Sequence, residues 1–260
     1  MTSDEEYKIF MEKVLKKYNI DLRGYKERTR RRIEILMHKY KITSFLEYLD
    51  FLDKNEDKSK EFVDKLTINV TEFFRNPEKW KEFENKYFPY LYSRNPRLKI
   101  FSAGCSSGEE PYTIAIILDR LGYTNARITA RDLDLKVLAK ARQGIYDQKA
   151  LVNIDPKTRE KYFKKIDDKT YQVIPKLKSY INFGQINLLQ DKFDRNFDLI
   201  VCRNVVIYFN QESKDLLYRK FFESLKPGGL LFVGSTERIF NYKDIGFELK
   251  APFIYIKPEK

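Results

Sequence analysis

Histidine occurs once and cysteine twice in these 260 residues. Cys105, Cys202 and His38 are too few for a disulfide framework or a metal cluster, so no metal site is expected. The same scarcity leaves no Cys/His or Ser/His pairing, and His38 is given no catalytic role. No apolar run approaches the roughly 18 residues of a membrane span. Nothing resembles a signal peptide, which makes a cytoplasmic chain without membrane insertion the expectation. Internal repeats and low-complexity tracts are also missing. Among the glycines, neither the G-x-G-x-x-G fingerprint nor a P-loop ending in Gly-Lys-Ser/Thr occurs.

What is present describes a folded, basic protein. Hydrophobic residues make up 42% and aromatics 15%, enough for a substantial core in one large domain or two. A formal charge of +12 and a pI near 9.4 call for an acidic partner, whether nucleic acid, membrane surface or protein. Residues 4–66 read as about four helices. Tyr7, Phe10, Met11, Val14, Leu15 and Tyr18 form one stripe, and Ile33, Leu36, Met37 and Tyr40 another. Thr43/Ser44 look like an N-cap, as do Asp57/Ser59.

From residue 98 short apolar runs alternate with amphipathic stretches, the mark of a parallel α/β sheet. Strands are expected at 98–102, 126–130, 181–184, 197–202, 229–234 and 253–257, and helices at 111–121, 134–143 and 211–225. Lys226-Pro227-Gly228-Gly229 reads as a turn before the fifth strand. Residues 145–180 break the alternation with a helix near 156–163 and a turn at 167–169, as an inserted antiparallel element would.

The most informative stretch is Ser102-Ala103-Gly104-Cys105-Ser106-Ser107-Gly108-Glu109-Glu110-Pro111-Tyr112. A strand runs through Ala103 and Gly104 into a loop, and a helix then opens, so backbone N–H groups face a ligand. Glu109 and Glu110 would repel a phosphate. An adenosine-like ligand with positive charge suits them, and S-adenosylmethionine, with its sulfonium and ammonium, is such a ligand.

Other candidates carry two readings each. Asp132, at the tip of the second strand, is placed for ribose hydroxyls, whereas Asp134 caps the next helix. Asn187 lies where an adenine would sit, or simply makes an Asn turn. Asn204 and Tyr208 follow the fourth strand, where ligands bind in open α/β sheets. Asn69, Thr71 and Arg75 either reach into a cleft or belong to a linker with an aromatic plug. The run containing Lys26, Arg28, Arg30, Arg31 and Arg32 suits an acidic docking partner, protein or nucleic acid, against the plainer reading of a solvated face.

Taken together, Asn69-Val70-Thr71-Glu72-Phe73-Phe74-Arg75, the 102–112 loop, Arg131-Asp132-Leu133-Asp134, Asn187-Leu188-Leu189, the run from Phe197 through Arg203-Asn204-Val205-Val206-Ile207-Tyr208-Phe209, and Lys226-Pro227-Gly228-Gly229 resemble CheR-type chemoreceptor glutamate methyltransferases. The resemblance covers nearly the whole chain in order. It implies an all-α N-terminal domain (1–68), a linker helix region (69–97), and an α/β, Rossmann-like class I methyltransferase domain (98–260) with a small antiparallel β subdomain inserted at 145–180. It implies S-adenosylmethionine as cofactor, S-adenosylhomocysteine as product, and the cytoplasmic helical bundle of methyl-accepting chemoreceptors as partner. The chain itself would be a monomer. By the same resemblance the cofactor is held by Asn69, Thr71, Arg75, Glu109 or Glu110, Asp132, Asn187, Leu188, Asn204 and Val205. Arg75 and Tyr208 lie near the transferred methyl, and the basic helix docks the receptor. Some members also grip a receptor-tail peptide with the inserted sheet. Here the loop at 164–170 is short and lacks glycine, which argues for tether independence.

The chemistry asks little of acid–base groups. A glutamate with a reference pKa of about 4.3 is already ionised at neutral pH, so an in-line displacement needs no general base. A nucleic-acid methyltransferase lacks support: the position after the fourth strand reads Arg203-Asn204-Val205-Val206 rather than Asn/Asp-Pro-Pro-aromatic, and no Pro-Cys nucleophile occurs. A non-enzymatic cofactor-binding scaffold is the other alternative, disfavoured by the presence of Arg75 and Tyr208.

Overall fold

A computed structural model describes residues 3–18, 20–66 and 71–259, so Asn69 lies outside the described residues. The chain divides into two compact units, Met1–Asn69 with Ile207–Leu216, and Val70–Val206 with Leu217–Lys260.

The first unit is built on four helices, α1 (Ser3–Tyr18), α2 (Glu27–Lys39), α3 (Phe45–Lys54) and α4 (Glu56–Leu66). Aromatic rings fill its centre. Phe10 is fully buried and lies 5.4 Å from the Phe45 ring and 5.9 Å from that of Phe62. On α2 the inward face is Thr29, Ile33, Leu36 and Met37, as the helical spacing requires. Ser44 accepts a hydrogen bond from the Glu47 N–H and so opens α3 as an N-cap. Helix α4 opens at Glu56, so Asp57 and Ser59, expected as its N-cap, lie inside its first turn instead. The unexpected component is the distant segment from Ile207. Lys26 N donates to the Tyr208 carbonyl at 3.0 Å and Asn210 N to that of Gly24 at 2.9 Å, while the Tyr25 and Phe209 rings meet edge-on at 5.3 Å.

The second unit begins with α5 (Pro77–Glu82), a π-helical turn (Phe83–Tyr87) and α6 (Phe88–Arg94). There follow β1 (Lys99–Ala103), α7 (Glu109–Arg120), β2 (Arg127–Asp132), α8 (Leu135–Gln143), β3 (Ile145–Asp147), α9 (Pro156–Tyr162), β4 (Phe163–Lys165), β5 (Thr170–Val173), α10 (Pro175–Lys178), β6 (Ile181–Gln185), β7 (Phe197–Cys202), α11 (Gln211–Ser224), β8 (Leu225–Val233), α12 (Tyr242–Ile245), β9 (Glu248–Ala251) and β10 (Ile254–Ile256). The main sheet runs β6-β2-β1-β7-β8-β10-β9. Strands β6, β2, β1, β7 and β8 are mutually parallel, and β10 is antiparallel to both of its neighbours. Strand β7 is buried at every position, as a central parallel strand must be. The order turns at β1, and the diverging connections from β1 and β7 open a crevice at their carboxyl ends.

The expected insertion is present as an antiparallel sheet, β3-β5-β4. Three sequence expectations need correction. The first strand lies one residue later than expected, at Lys99–Ala103, and the second runs on to Asp132. Strand β9, whose residues are mostly exposed and charged, gave no apolar signal. Finally, 226–229 is a bulge inside β8 rather than a turn before it. Pairing jumps from Phe197–Leu225 to Leu199–Leu230. Gly228, at φ +75°, turns the bulge and donates its N–H to the Lys257 carbonyl, so the strand resumes at once. Among the described residues no helix is long and apolar enough to cross a membrane.

Candidate active site

The crevice of the second unit is organised by the loop after β1. Ala103 is fully buried, and Gly104 takes φ +75°. A Cβ on Gly104 would lie 2.4 Å from Val205 Cγ2, so only glycine lets the β1 and β7 loops touch. Gly104 N and Cys105 N both donate to the Arg131 carbonyl, at 2.8 and 2.9 Å. Asp132 finishes the anchoring: one carboxylate oxygen accepts from Ser106 N at 2.8 Å and the other from Asp134 N at 3.0 Å. Burial raises its pKa, and these N–H bonds oppose the rise. With Leu133 N–H also bonding the carboxylate, acceptor capacity for one further donor such as a hydroxyl is left. Asp134 accepts from Lys136 N and Val137 N, so it is the helix cap that the sequence suggested.

Glu109 and Glu110 differ sharply. Glu109 is 4% exposed and turns both oxygens onto the Ser107 hydroxyl, at 2.9 and 2.8 Å. Glu110 accepts from the Ser102 hydroxyl at 2.8 Å, and its other oxygen stands 4.0 Å from the Arg203 guanidinium. Burial pushes both carboxyls up to about 7. For Glu110 the opposing charges are Arg203 and Arg75, with Glu237 adding to the rise. Glu110 therefore sits among the groups of the crevice, while the charge that acts on Glu109 is that of Lys140.

The segment 71–77 is wedged into this unit. Phe73 is fully buried, with ring centroids 4.9 Å from Tyr146 and 5.1 Å from Phe163. Phe74 N donates to the Thr113 hydroxyl at 3.0 Å. Thr71 and Arg75 are half-buried. Phe74 and Asn76 both take left-handed backbone conformations, at φ +51° and +61°. Arg203 grips the turn between them, donating from Nη2 to the Arg75 carbonyl (2.8 Å) and to Asn76 Oδ1 (2.7 Å).

After β7, Asn204 also adopts positive φ, at +60°. Its N–H donates to Glu237 Oε2 at 2.6 Å, and Gly234 N donates to the same oxygen at 2.9 Å. Glu237 thus ties the β7 and β8 loops together. Asn187 follows β6, where Ile186 N donates to the Asp132 carbonyl. Its Oδ1 accepts from Leu189 N and Gln190 N, the geometry of an Asn turn. Leu188 is buried, and its carbonyl accepts from Lys220, whose pKa burial lowers to about 8.

The crevice thus brings together Arg75, Ala103, Gly104, Glu110, Asp132, Asn204 and Val205, while Thr71 is half-buried four residues before Arg75. Glu109 is turned away from it, and Tyr208 belongs to the helical unit, where Arg28 and Arg32 stand 5.5 and 5.6 Å from its ring centre. Sequence reasoning missed Arg203, Asn76 and Glu237. A buried arginine directly after an apolar strand, and a glutamate just beyond Gly234, were their only signals. Among the basic candidates of α2, Arg30 is turned inward: it pairs with Asp4 at 2.8 Å and lies over the Tyr7 and Phe45 rings. Arg28 and Arg31 are exposed, and Lys26 and Arg32 half-buried. Burial lowers the pKa of Lys26, and the nearby charges of Lys214 and Arg28 lower it further.

The donor set suits S-adenosylmethionine. The carboxylates of Glu110 and Asp132 are of the type that pairs with a cation and with ribose hydroxyls, and the close approach of Gly104 to Val205 leaves the loop without a side chain that would fill the cradle. Among the described residues no group of His, Cys, Asp and Glu is arranged to hold a metal ion.

Comparison with known proteins agrees. Residues 69–252 match the family described as CheR methyltransferase, SAM binding domain, and residues 5–67 match CheR methyltransferase, all-alpha domain. The chemotaxis protein methyltransferase of Listeria monocytogenes is 39% identical over 257 residues, 98% of each chain. That of Borreliella burgdorferi is 37% identical over 81% of this chain and 79% of its own. That of Escherichia coli is 36% identical over 82% of this chain and 77% of its own.

Proposed function

We propose, from the premise that this chain belongs to the CheR family of S-adenosylmethionine-dependent methyltransferases, that it esterifies glutamate side chains on the cytoplasmic helical bundle of chemoreceptors. One observation supports the carboxylate substrate: among the described residues the crevice holds no histidine and no readily ionised thiol to act as a general base. Burial pushes the Cys105 and Cys202 thiols well up, and the only histidine, His38, lies on α2 of the helical unit. The Asp132 carboxylate is held by loop N–H groups, and that of Glu110 by the Ser102 hydroxyl beside Arg203, which orients both as fixed ligand contacts. A nucleophile that arrives already ionised is the chemistry such a site supports.

When bound, the cofactor supplies an electrophilic methyl on a sulfonium. This chain's residues do the rest. In this reading Glu110 meets the ammonium of the ligand, Asp132 the ribose, and Gly104, Asn204 and Val205 shape the wall of the cradle. Thr71, Asn69 and the Asn187-Leu188 pair complete the set that the family resemblance assigns. Arg75 aligns the substrate carboxylate by charge-assisted hydrogen bonding, and the resemblance gives Tyr208, in the helical unit, a role near the transferred methyl. Such orientation contributes roughly 7–11 kcal/mol to a well-aligned displacement. Lys26, Arg28, Arg31 and Arg32 present the acidic receptor with a positive face. The hairpin joining β4 and β5 is closed by Ile166 N on the Thr170 carbonyl. It is short, so recognition proceeds without a receptor-tail tether, by a monomer.

The test is methyl transfer from labelled cofactor to receptor cytoplasmic fragments and, in parallel, to DNA. Alkali-labile label on receptor glutamates is the expected result. Label on DNA, or an alkali-stable product, overturns the reading.

A further inference from the structure

Arg203 is a costly residue for its position. It is 9% exposed, and its Nε is buried without a hydrogen-bond partner. Its guanidinium lies beside two mutually perpendicular rings, 5.3 Å from the Trp80 ring centre and 4.9 Å from that of Phe232. Burial works against its charge, and Glu110 is the first group to support it. A buried cation with an unused donor is retained only when its remaining contacts need an arginine.

Those contacts are specific. Nη2 serves both the Arg75 carbonyl and Asn76 Oδ1, and Nη1 faces Glu110. Arg75 stands between two residues whose left-handed backbone conformations L-residues rarely adopt. Such a turn persists only where its surroundings fix it. The Arg203 fork supplies that restraint, and the Trp80 and Phe232 rings pack beside it. Lysine has neither the plane nor the paired donors.

We propose that Arg203 is a positioning residue for methyl transfer, which sets the direction in which Arg75 leaves the backbone and joins that turn to Glu110 at the start of α7. The inference rests on the proposed function, in which Arg75 aligns the substrate.

A double-mutant cycle tests it, with Asn76→Ala and Arg203→Lys each made in the wild type and in Arg75→Ala. Wild-type binding of S-adenosylhomocysteine and receptor methylation are measured first. If they fail, the functional reading falls; if they hold, the cycle judges Arg203 alone. Asn76 is exposed, so its variant keeps the test alive if Arg203→Lys fails to fold. Asn76→Ala should lower kcat about fivefold and Arg203→Lys at least about tenfold, with cofactor KM within about twofold, and both losses should vanish in Arg75→Ala. Trp80 is the only tryptophan of the chain, and its ring centre lies 5.3 Å from the Arg203 guanidinium, so its emission reports this contact directly. Its response to S-adenosylhomocysteine should be clear in the wild type and lost in Arg203→Lys. Losses that multiply in full onto Arg75→Ala, or an unchanged Trp80 response in Arg203→Lys, overturn the proposal.

Discussion

The two units treat charge in opposite ways. In the helical unit no charged residue is buried among the described residues, and arginines crowd the surface of α2. The sheet unit buries Glu109, Asp132, Asp134, Asp198, Arg203 and Glu237. Most of these cluster at the carboxyl ends of β1, β2, β7 and β8. Asp198 is the exception: at the start of β7 it accepts from Lys99 N and pairs with Lys226 at 2.7 Å. The contrast separates two tasks. Exposed charge acts at long range and is screened by salt, as suits a docking face. Buried charge acts at short range in a low dielectric, as suits a ligand pocket.

Substitutions should therefore split by unit. The largest effect is expected from Gly104→Ala, which adds a clash with Val205 to a positive-φ strain. With about 1–3 kcal/mol for each of these, the Kd for S-adenosylhomocysteine should rise about 100-fold by calorimetry. Next, the double reversal Lys26→Glu with Arg31→Glu should cut receptor methylation at low salt by about tenfold and flatten its salt dependence. Cofactor affinity should stay at the wild-type value. A matching loss of cofactor affinity would break the comparison outright.

A third prediction sharpens the contrast between Glu109 and Glu110. The carboxyl of Glu110 is raised from 4.5 to about 7 in the folded protein. Its stability contribution is thus greatest below the unfolded value and declines as pH climbs from there to about 7. Binding an ammonium needs the ionised form, so affinity for S-adenosylhomocysteine should increase about tenfold from about pH 6 to about pH 8. Glu110→Gln should remove this slope, whereas Glu109→Gln should keep it. The smallest effect is structural. Asp134→Ala removes the cap of α8 at a cost of about 1 kcal/mol, a fall in Tm of about 2–4 °C by calorimetry.

What the sequence made legible was local. Alternating apolar runs gave the strands, the 102–112 loop gave the crevice, and Asp134 announced its own helix. What it concealed was long-range. Arg203 and Asn76 are 127 positions apart, and Glu237 meets Asn204 only because β7 and β8 are neighbours. The bulge at 226–229 looked like a terminal turn because its Pro and Gly are turn residues, and only pairing with Lys257 reveals the continuing strand. Arg30 shared the composition of its neighbours, yet the rings of Tyr7 and Phe45 drew it inward.

The helical unit has one more consequence, for biosynthesis. Arg28 caps the Ile207 carbonyl across 179 positions of chain, and Lys26 and Gly24 likewise wait for Tyr208 and Asn210. On the ribosome, the first helices emerge long before the strip that completes them. A fragment ended near residue 69 would lack that strip, and the nascent N-terminus must hold its unfinished surface until most of the polypeptide has been translated.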